Sequence, residues 1–325
     1  GIYVRPHGNV YSDYSRKFFE VLHTFSPLIE GLSIDEAFMD MTGSRKLFGE
    51  VSDIGRKIKE EIFRNTQLTA SVGIAPTKSV AKIASDFNKP DGLTIVHPDD
   101  VRTFLDSLPV TKLWGIGKKT QENLEKMGIH TVYQLRQHPR EVLERKFGKM
   151  GLHIYKMAVG EDERSVNPAE DVKSVSNETT YDEDTNDSET VRKTVFYLSE
   201  KVAGRLRRSR LTGQTVQLKI RFSDFKTYTR SLTLHEPTSL TDEIFQTTEL
   251  LLTEFLPLEN FVRLVGVGVS SLKSEKGIQL GLWDQENQKK LKLEQVLDAL
   301  QDKYGSDVIR HAASISRTVR KKKES

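Results

Sequence analysis

No cysteine occurs anywhere in the chain, which excludes disulfide frameworks, thiolate metal sites and a cysteine nucleophile. Tryptophan is nearly as scarce, with two in 325 residues, and proline is held to ten. No apolar run approaches the length needed to cross a bilayer, so no membrane partner is expected. Gly1-Ile2-Tyr3-Val4-Arg5-Pro6 lacks the charged and apolar regions of a signal peptide, and a cytoplasmic location is the resulting expectation. An excess of one charge sign is missing too: 49 basic and 46 acidic residues leave a net charge of +3, too little to argue a nucleic-acid partner. What remains is a charge-rich chain, 29% charged and 36% hydrophobic, long enough for roughly two or three domains that each bury a core.

The distribution of charge says more than its sum. Glu178 to Glu189 holds six acidic residues and no basic ones, whereas Arg192 to Arg230 holds eleven basic and two acidic, a local net of +9.

Ser33-Ile34-Asp35-Glu36-Ala37-Phe38-Met39-Asp40 sets two adjacent carboxylates in a stretch that otherwise alternates like a half-buried strand. Neighbouring strand residues point to opposite faces, so Asp35 and Glu36 converge only where the backbone turns or bulges. Two convergent carboxylates suit Mg²⁺, which takes oxygen ligands and shares itself with substrate phosphates. The plainer alternative is an exposed hairpin turn.

Around this stretch, Tyr11, Ser15, Phe18, Leu22 and Phe25 recur at helical spacing, and Leu47, Val51, Ile54, Ile58 and Ile62 mark a second helix. Leu68 to Ala75 reads as a strand, Thr77 caps a helix through Phe87, and Asn88-Lys89-Pro90-Asp91-Gly92 is a turn. From Val110 to about Gly160 the pattern is helical. There Gly115-Ile116-Gly117 joins two short helical segments, a helix-hairpin-helix pattern whose glycines, helix N–H groups, Lys118 and Lys119 suit a phosphate backbone. A plain helix connector would look the same. Phe147 to Gly151 reads as a degenerate second copy.

Beyond an acidic linker at Asn167 to Asp171 the predicted order is strand, helix, two strands, helix, strand, a split βαβ arrangement. Val216, Leu218, Ile220 and Phe222 alternate with Gln217, Lys219, Arg221 and Ser223, so one face packs on helices and the other is polar and basic. Lys226, Tyr228 and Arg230 are expected to extend that face, which lacks compensating acids along the sequence and so suits a phosphate backbone. Gln279-Leu280-Gly281-Leu282-Trp283 sits alone with three large apolar residues, suited to an extended peptide docked in a partner's pocket or to a strand packed at home. Gln285 to Tyr304 is a predicted helix, and Arg320 to Lys323 a solvated basic tail.

In order and context, Ser33-Ile34-Asp35-Glu36-Ala37, Ser71-Val72-Gly73-Ile74, Lys78 to Asp86, Lys89-Pro90-Asp91-Gly92, Gly115-Ile116-Gly117 and Lys173 to Glu178 resemble the Y-family, DinB-type translesion DNA polymerases over nearly the whole chain. The resemblance implies an α+β multidomain fold: a polymerase palm of ferredoxin-like type to residue 109, a helix-hairpin-helix thumb at 110–170, a βαββαβ little-finger domain at 171–272 and a tail at 273–325. It implies error-prone, template-directed DNA synthesis in damage tolerance, with Asp35 and Glu36 binding two Mg²⁺ ions, Lys89 contacting the incoming triphosphate and Lys82 nearby. Gly115, Gly117 and Lys118 would then hold DNA, Arg263 matches a family position on the DNA backbone, and Lys219, Arg221 and Arg230 are added from the alternation. Gln279, Leu280, Leu282 and Trp283 look like the peptide by which bacterial polymerases bind the sliding clamp (beta subunit). Primer-template DNA, dNTP and that clamp are the expected partners of a monomer.

The family pattern opens with a strand carrying a further metal-binding aspartate and an aromatic residue that excludes ribonucleotides, then a fingers segment with a Tyr-x-x-x-Arg triphosphate contact. None is found in this sequence, and Asp40 is not assumed to stand in. The palm is therefore expected to be incomplete and the fingers missing. The alternatives are a non-catalytic or truncated DNA- and clamp-binding fragment, and a helix-hairpin-helix repair nuclease.

Overall fold

The computed structural model describes residues 1–4, 6–168, 172–274, 285–305 and 309. The chain divides into two compact units, Gly1–Glu170 and Asp171–Ser325.

The first unit runs α1 (Gly8–His23), β1 (Ile29–Gly31), β2 (Ala37–Met39), α2 (Arg45–Phe48), α3 (Val51–Thr66), β3 (Val72–Ile74), α4 (Lys78–Phe87) and β4 (Leu93–Ile95). It continues with the short helices α5 (Val101–Asp106), α6 (Lys118–Glu125), α7 (Val132–Gln137), α8 (Arg140–Phe147) and α9 (Lys149–Ala158). β1 and β2 form an antiparallel hairpin and β3 and β4 a parallel pair, two separate two-stranded sheets. The expected long strands contract to three residues each, because the intervening stretches go into turns.

The apolar stripe of α3, Ile54, Ile58 and Ile62, packs on Val21, Leu22 and Phe25 of the α1 region and on Ile29. This satisfies the amphipathic spacing that the sequence showed. A second cluster joins Val80, Ile83 and Ala84 of α4 to Leu105, Leu113, Leu124, Leu135, Leu143 and Ile154. Packing therefore runs without a break across residues 109 and 110, where the sequence suggested a domain boundary.

Gly73 explains why this strand and helix lie so close. A Cβ there would meet the Ala81 carbonyl oxygen at 2.2 Å and the Ser85 nitrogen at 2.3 Å, both on the α4 backbone. Helix backbone cannot yield as a side chain can. Gly73→Ala is expected to cost about 1–3 kcal/mol, read as a lower thermal unfolding midpoint; an unchanged midpoint would show that β3 and α4 can separate freely.

The second unit contains β5 (Ser174–Thr185), α10 (Ser188–Arg208), β6 (Leu211–Phe222), β7 (Thr227–Thr238), α11 (Thr241–Thr253), β8 (Val262–Ser274) and α12 (Gln285–Tyr304). Its four strands are antiparallel in the order β5-β8-β6-β7. Val191, Val195, Leu198, Val202 and Leu206 of α10 are fully buried against Val216, Leu218 and Ile220 of β6 and Val265, Val267 and Val269 of β8. Each such side chain contributes about 1.5–3 kcal/mol of burial. Asp187 begins α10, its carboxylate accepting the Glu189 and Thr190 N–H groups at 3.2 and 3.0 Å. The strand-helix-strand-strand-helix-strand order predicted from the sequence is thus the order found.

Helix α12 rests on this unit through charge. Arg207 of α10 binds Glu294 and, with Nε 2.6 Å from the carboxylate, Asp298; Arg208 reaches Asp302 at 2.8 Å. Glu294 is buried and also accepts the Thr241 N–H at 3.0 Å, so one carboxylate closes the start of α11 as well. Among the described residues no helix is long and apolar enough to cross a membrane.

Candidate functional site

The Asp-Glu pair stands in the turn of the β1–β2 hairpin. The Glu36 carbonyl accepts the Leu32 and Ser33 N–H groups at 2.8 and 3.2 Å, which folds the backbone tightly enough to bring both side chains to one rim. Asp35 is exposed and takes a hydrogen bond from the Ser33 hydroxyl at 2.5 Å; Glu36 is half-buried. The hairpin turn expected for this stretch is thus found, with both carboxylates at its rim.

Opposite the turn, α4 presents Lys82 and Asp86 one helical turn apart, with Lys89 three residues on. Lys82 Nζ lies 2.8 Å from Glu36 Oε1 and 3.1 Å from Asp86 Oδ2, and Lys89 Nζ lies 2.5 Å from Asp86 Oδ1. Burial by itself would lower the Lys82 pKa, but hydrogen bonds to Glu36 and Asp86 hold it above the ordinary lysine value. Burial likewise opposes ionisation of Asp86, and its bonds to Lys89 and Lys82 win, keeping the carboxyl below its ordinary value. Asp35, Glu36, Lys82 and Lys89 all line one cavity of about 1270 Å³, whose apolar wall includes Phe18, Ile54 and Ile58.

The floor beside this row is fixed by contacts distant in sequence. Lys78 Nζ binds both Glu30 oxygens at 2.6 Å and stands 4.9 Å over the Phe38 ring, so this lysine is spent on structure. Asp162 accepts the Ser79 N–H at 3.0 Å and pairs with Arg164, which lies over Trp114 at 4.9 Å. Thr77 occupies the start of α4 but makes no side-chain cap bond. The expected Thr77 cap is therefore supplied by Asp162, because the segment after α9 returns to this helix end.

Asp35 and Glu36 fit a hard divalent cation. They offer oxygen donors at the rim of a roomy cavity, and Mg²⁺ is commonly held by one or two carboxylates with water and substrate phosphate completing its shell. Among the described residues no group of three or more acidic or histidine side chains converges, so the remaining ligands would come from outside this pair. Asp40 is engaged elsewhere: the Thr42 N–H and hydroxyl hydrogen-bond its carboxylate and hold it below its ordinary pKa.

In the helical part, Gly115 has φ +93°, a conformation that demands glycine, and Gly117 starts α6 with open space where a Cβ would stand. Lys118 and Lys119 are exposed at the same end. The preceding helical segment is only a single 3₁₀ turn at Val110–Lys112. In the proposed second copy, Gly148 at φ +61° joins α8 directly to α9. A Cβ on Gly151 would meet the Leu143 carbonyl oxygen at 2.1 Å, so this glycine serves helix packing.

The sheet of the second unit corrects two expectations. Lys219 pairs in register with Thr229 and Arg221 with Thr227, sharing the face turned away from the helices; Arg230 pairs with Leu218 and Tyr228 with Ile220. Residues directly opposite share a face, so Arg230 and Tyr228 lie on the helix-bearing side. Arg230 binds Glu254 at 2.5 Å and covers the Phe255 ring at 5.2 Å. Nor do the cations lack compensating acids: Lys219 pairs with Glu178 at 2.7 Å and Arg263 with Asp184 at 3.3 Å. Lys219 of the basic stretch thus meets a carboxylate of the acidic stretch across the sheet, while Arg221 hydrogen-bonds the Thr227 hydroxyl. Gln279, Leu280, Leu282 and Trp283 lie outside the described residues.

Sequence reasoning left Asp86, Glu30, Asp162 and Arg164 without roles. Only Asp86 carried a signal, the four- and three-residue spacings of Lys82, Asp86 and Lys89.

Three family models match the chain: the impB/mucB/samB family over residues 1–86, the IMS family HHH motif over 98–129 and the impB/mucB/samB family C-terminal domain over 172–282. The chain belongs to the Y-family, DinB-type DNA polymerases, and is by family a DNA-directed DNA polymerase. It is 40% identical to DNA polymerase IV of Desulfatibacillum aliphaticivorans over 319 residues, 97% of this chain and 81% of the relative. DNA polymerase IV of Listeria monocytogenes serotype 4b is 39% identical, with coverages of 84% and 77%. Among solved structures, a Y-family DNA polymerase chimera of Dbh and Dpo4 matches at 27% identity and TM-score 0.73, over 84% of this chain and 79% of that one. DinB from Sulfolobus solfataricus matches at 26% and TM-score 0.53, over 83% and 79%. Polymerase names throughout favour the enzyme over the non-catalytic fragment and over the nuclease.

Proposed function

We propose that the cavity between the hairpin turn and α4 is the site of Mg²⁺-dependent transfer of a deoxynucleotide from dNTP to a primer 3′-hydroxyl. The observation that carries the reading is the meeting of the Asp35-Glu36 turn with Lys82 and Lys89 on one cavity, with Asp86 pairing the two lysines behind it. Asp35 and Glu36 would hold the divalent cation, two ions in the full site. When bound, that metal supplies Lewis-acid activation of the 3′-hydroxyl and neutralises the triphosphate. Lys89, half-exposed on a flexible stem, places a point charge on the triphosphate. Lys82 holds Glu36 in place until a cation competes for it. Phe18, Ile54 and Ile58 wall the cavity and limit water on that side.

Residues 1–109 act in this reading as palm, 110–170 as thumb, 171–272 as little finger and 273–325 as tail. The Gly115-Ile116-Gly117 turn with Lys118 grips the DNA backbone; Lys219 and Arg263 approach phosphates by exchanging their acidic partners, and Arg221 by leaving the Thr227 hydroxyl. Arg230 contributes only from the rim. Extension of a labelled primer on a template, dependent on Mg²⁺ and on the templating base, tests the assignment; duplex binding without extension in Mg²⁺ or Mn²⁺ would sink it.

Gln279 to Trp283 is assigned to the sliding clamp. Replacing Leu282 and Trp283 together by alanine should weaken clamp binding at least about tenfold, as loss of buried apolar anchors does, and leave DNA affinity intact. Equal clamp affinity in titrations of both proteins would remove that assignment.

A further inference from the structure

Asp86 divides one carboxylate between two ammonium groups. Oδ2 takes Lys82 at 3.1 Å and Oδ1 takes Lys89 at 2.5 Å, while Lys82 also reaches Glu36 at 2.8 Å. Glu36, Lys82, Asp86 and Lys89 thus form a row of alternating charge with no net charge. Its two ends differ in freedom: the Lys82 side chain is 18% exposed and the Lys89 side chain 53%. Lys82 can exchange partners but not escape to solvent; Lys89 can swing away.

We propose that Asp86 is a positioning residue that couples the cation end of the site to the triphosphate end by exchanging lysine partners. This rests on the reading of the cavity as the nucleotide site. When Glu36 turns to a divalent cation, Lys82 loses that carboxylate and settles on Asp86. Asp86, now better neutralised, loosens its hold on Lys89, which becomes free for an anionic triphosphate. In reverse, Lys89 drawn onto a triphosphate leaves Asp86 to Lys82, which relaxes its grip on Glu36. Linkage requires the two effects to be equal in free energy.

The test uses the full chain on a primer-template ending in a 3′-dideoxynucleotide, so that nothing turns over, and titrates dNTP and Mg²⁺ by fluorescence. In Asp86→Asn, Lys89 loses its counter-ion while Lys82 keeps Glu36 alone. At saturating Mg²⁺, dNTP should bind about two- to fivefold tighter, the scale of a partly exposed ion pair. The half-saturating Mg²⁺ concentration should rise by a similar factor. Asp86→Glu should restore both. A merely structural role would weaken both affinities together and lower the thermal midpoint, and that result, or two unchanged affinities, would overturn the exchange. Wild-type protein without Mg²⁺-dependent dNTP binding would instead overturn the nucleotide-site reading, and the exchange with it.

Discussion

Replacing Glu36 by glutamine is expected to reduce Mg²⁺-dependent primer extension by about 10²–10³-fold, or about 2.7–4 kcal/mol of transition-state stabilisation. The fold should not suffer. The turn is held by the main-chain carbonyl of Glu36, and a glutamine Oε1 can still accept the Lys82 ammonium. What glutamine cannot supply is the negative charge that a divalent cation needs from a protein ligand. Asp35→Asn should have an effect of the same order, since its neighbour Ser33 can hydrogen-bond either side chain. Asp40→Asn separates the turn from mere acidity nearby. Its carboxylate is committed to Thr42, and the expected loss is less than about tenfold. Extension in both turn variants within tenfold of wild type, at equal unfolding midpoints, would refute the metal-ligand assignment.

Breaking the Arg207 cluster is expected to be the largest stability effect in the second unit, about 3–5 kcal/mol for Arg207→Met. The Arg207 side chain is 6% exposed, and that of Glu294 11%. Removing the guanidinium leaves Glu294 buried beside Thr241 and strands Asp298, and it also abandons the Ser239 carbonyl, 2.8 Å from Nη1. Burial already pushes the Glu294 pKa up, against the pull of Arg207 and of the Thr241 hydrogen bonds. Hydrogen exchange should show α12 losing amide protection, with a lower denaturation midpoint. Neutralising the acids as well, with Glu294→Gln and Asp298→Asn in the Arg207→Met background, should recover most of the loss, because the cost is that of unpaired buried charge. If the triple variant is no better than the single one, packing of the arginine stem is the cause instead.

Much of this molecule was legible along the chain. The spacing of Ile54, Ile58 and Ile62 predicted the buried stripe of α3, and the alternation in β6 predicted its inner face, because each periodicity belongs to a single element. The Asp-Glu pair announced itself by interrupting an apolar pattern, and Gly115 by the turn it makes. The strands expected around Asp35 and Glu36 and over Leu68 to Ala75 contract to β2 and β3, since apolar character marks burial without fixing where hydrogen-bonded pairing begins and ends. The Thr77 cap was misplaced because a residue suited to capping competes with any carboxylate that the tertiary fold delivers, here Asp162.

By itself, then, the sequence determined the family, the order of elements in the second unit and the turn carrying Asp35 and Glu36. Tertiary structure decided which of these meet. A strand's period of two fixes its own faces but not its register against a neighbour, so only the pairing of Leu218 with Arg230 shows that this arginine has left the face of Lys219. Charge along a chain likewise does not report charge in space. Glu178 and Asp184 cross the sheet to Lys219 and Arg263, and Glu294 reaches back 87 residues to Arg207, because ion pairs form between groups that folding brings within a few ångströms whatever their separation in sequence.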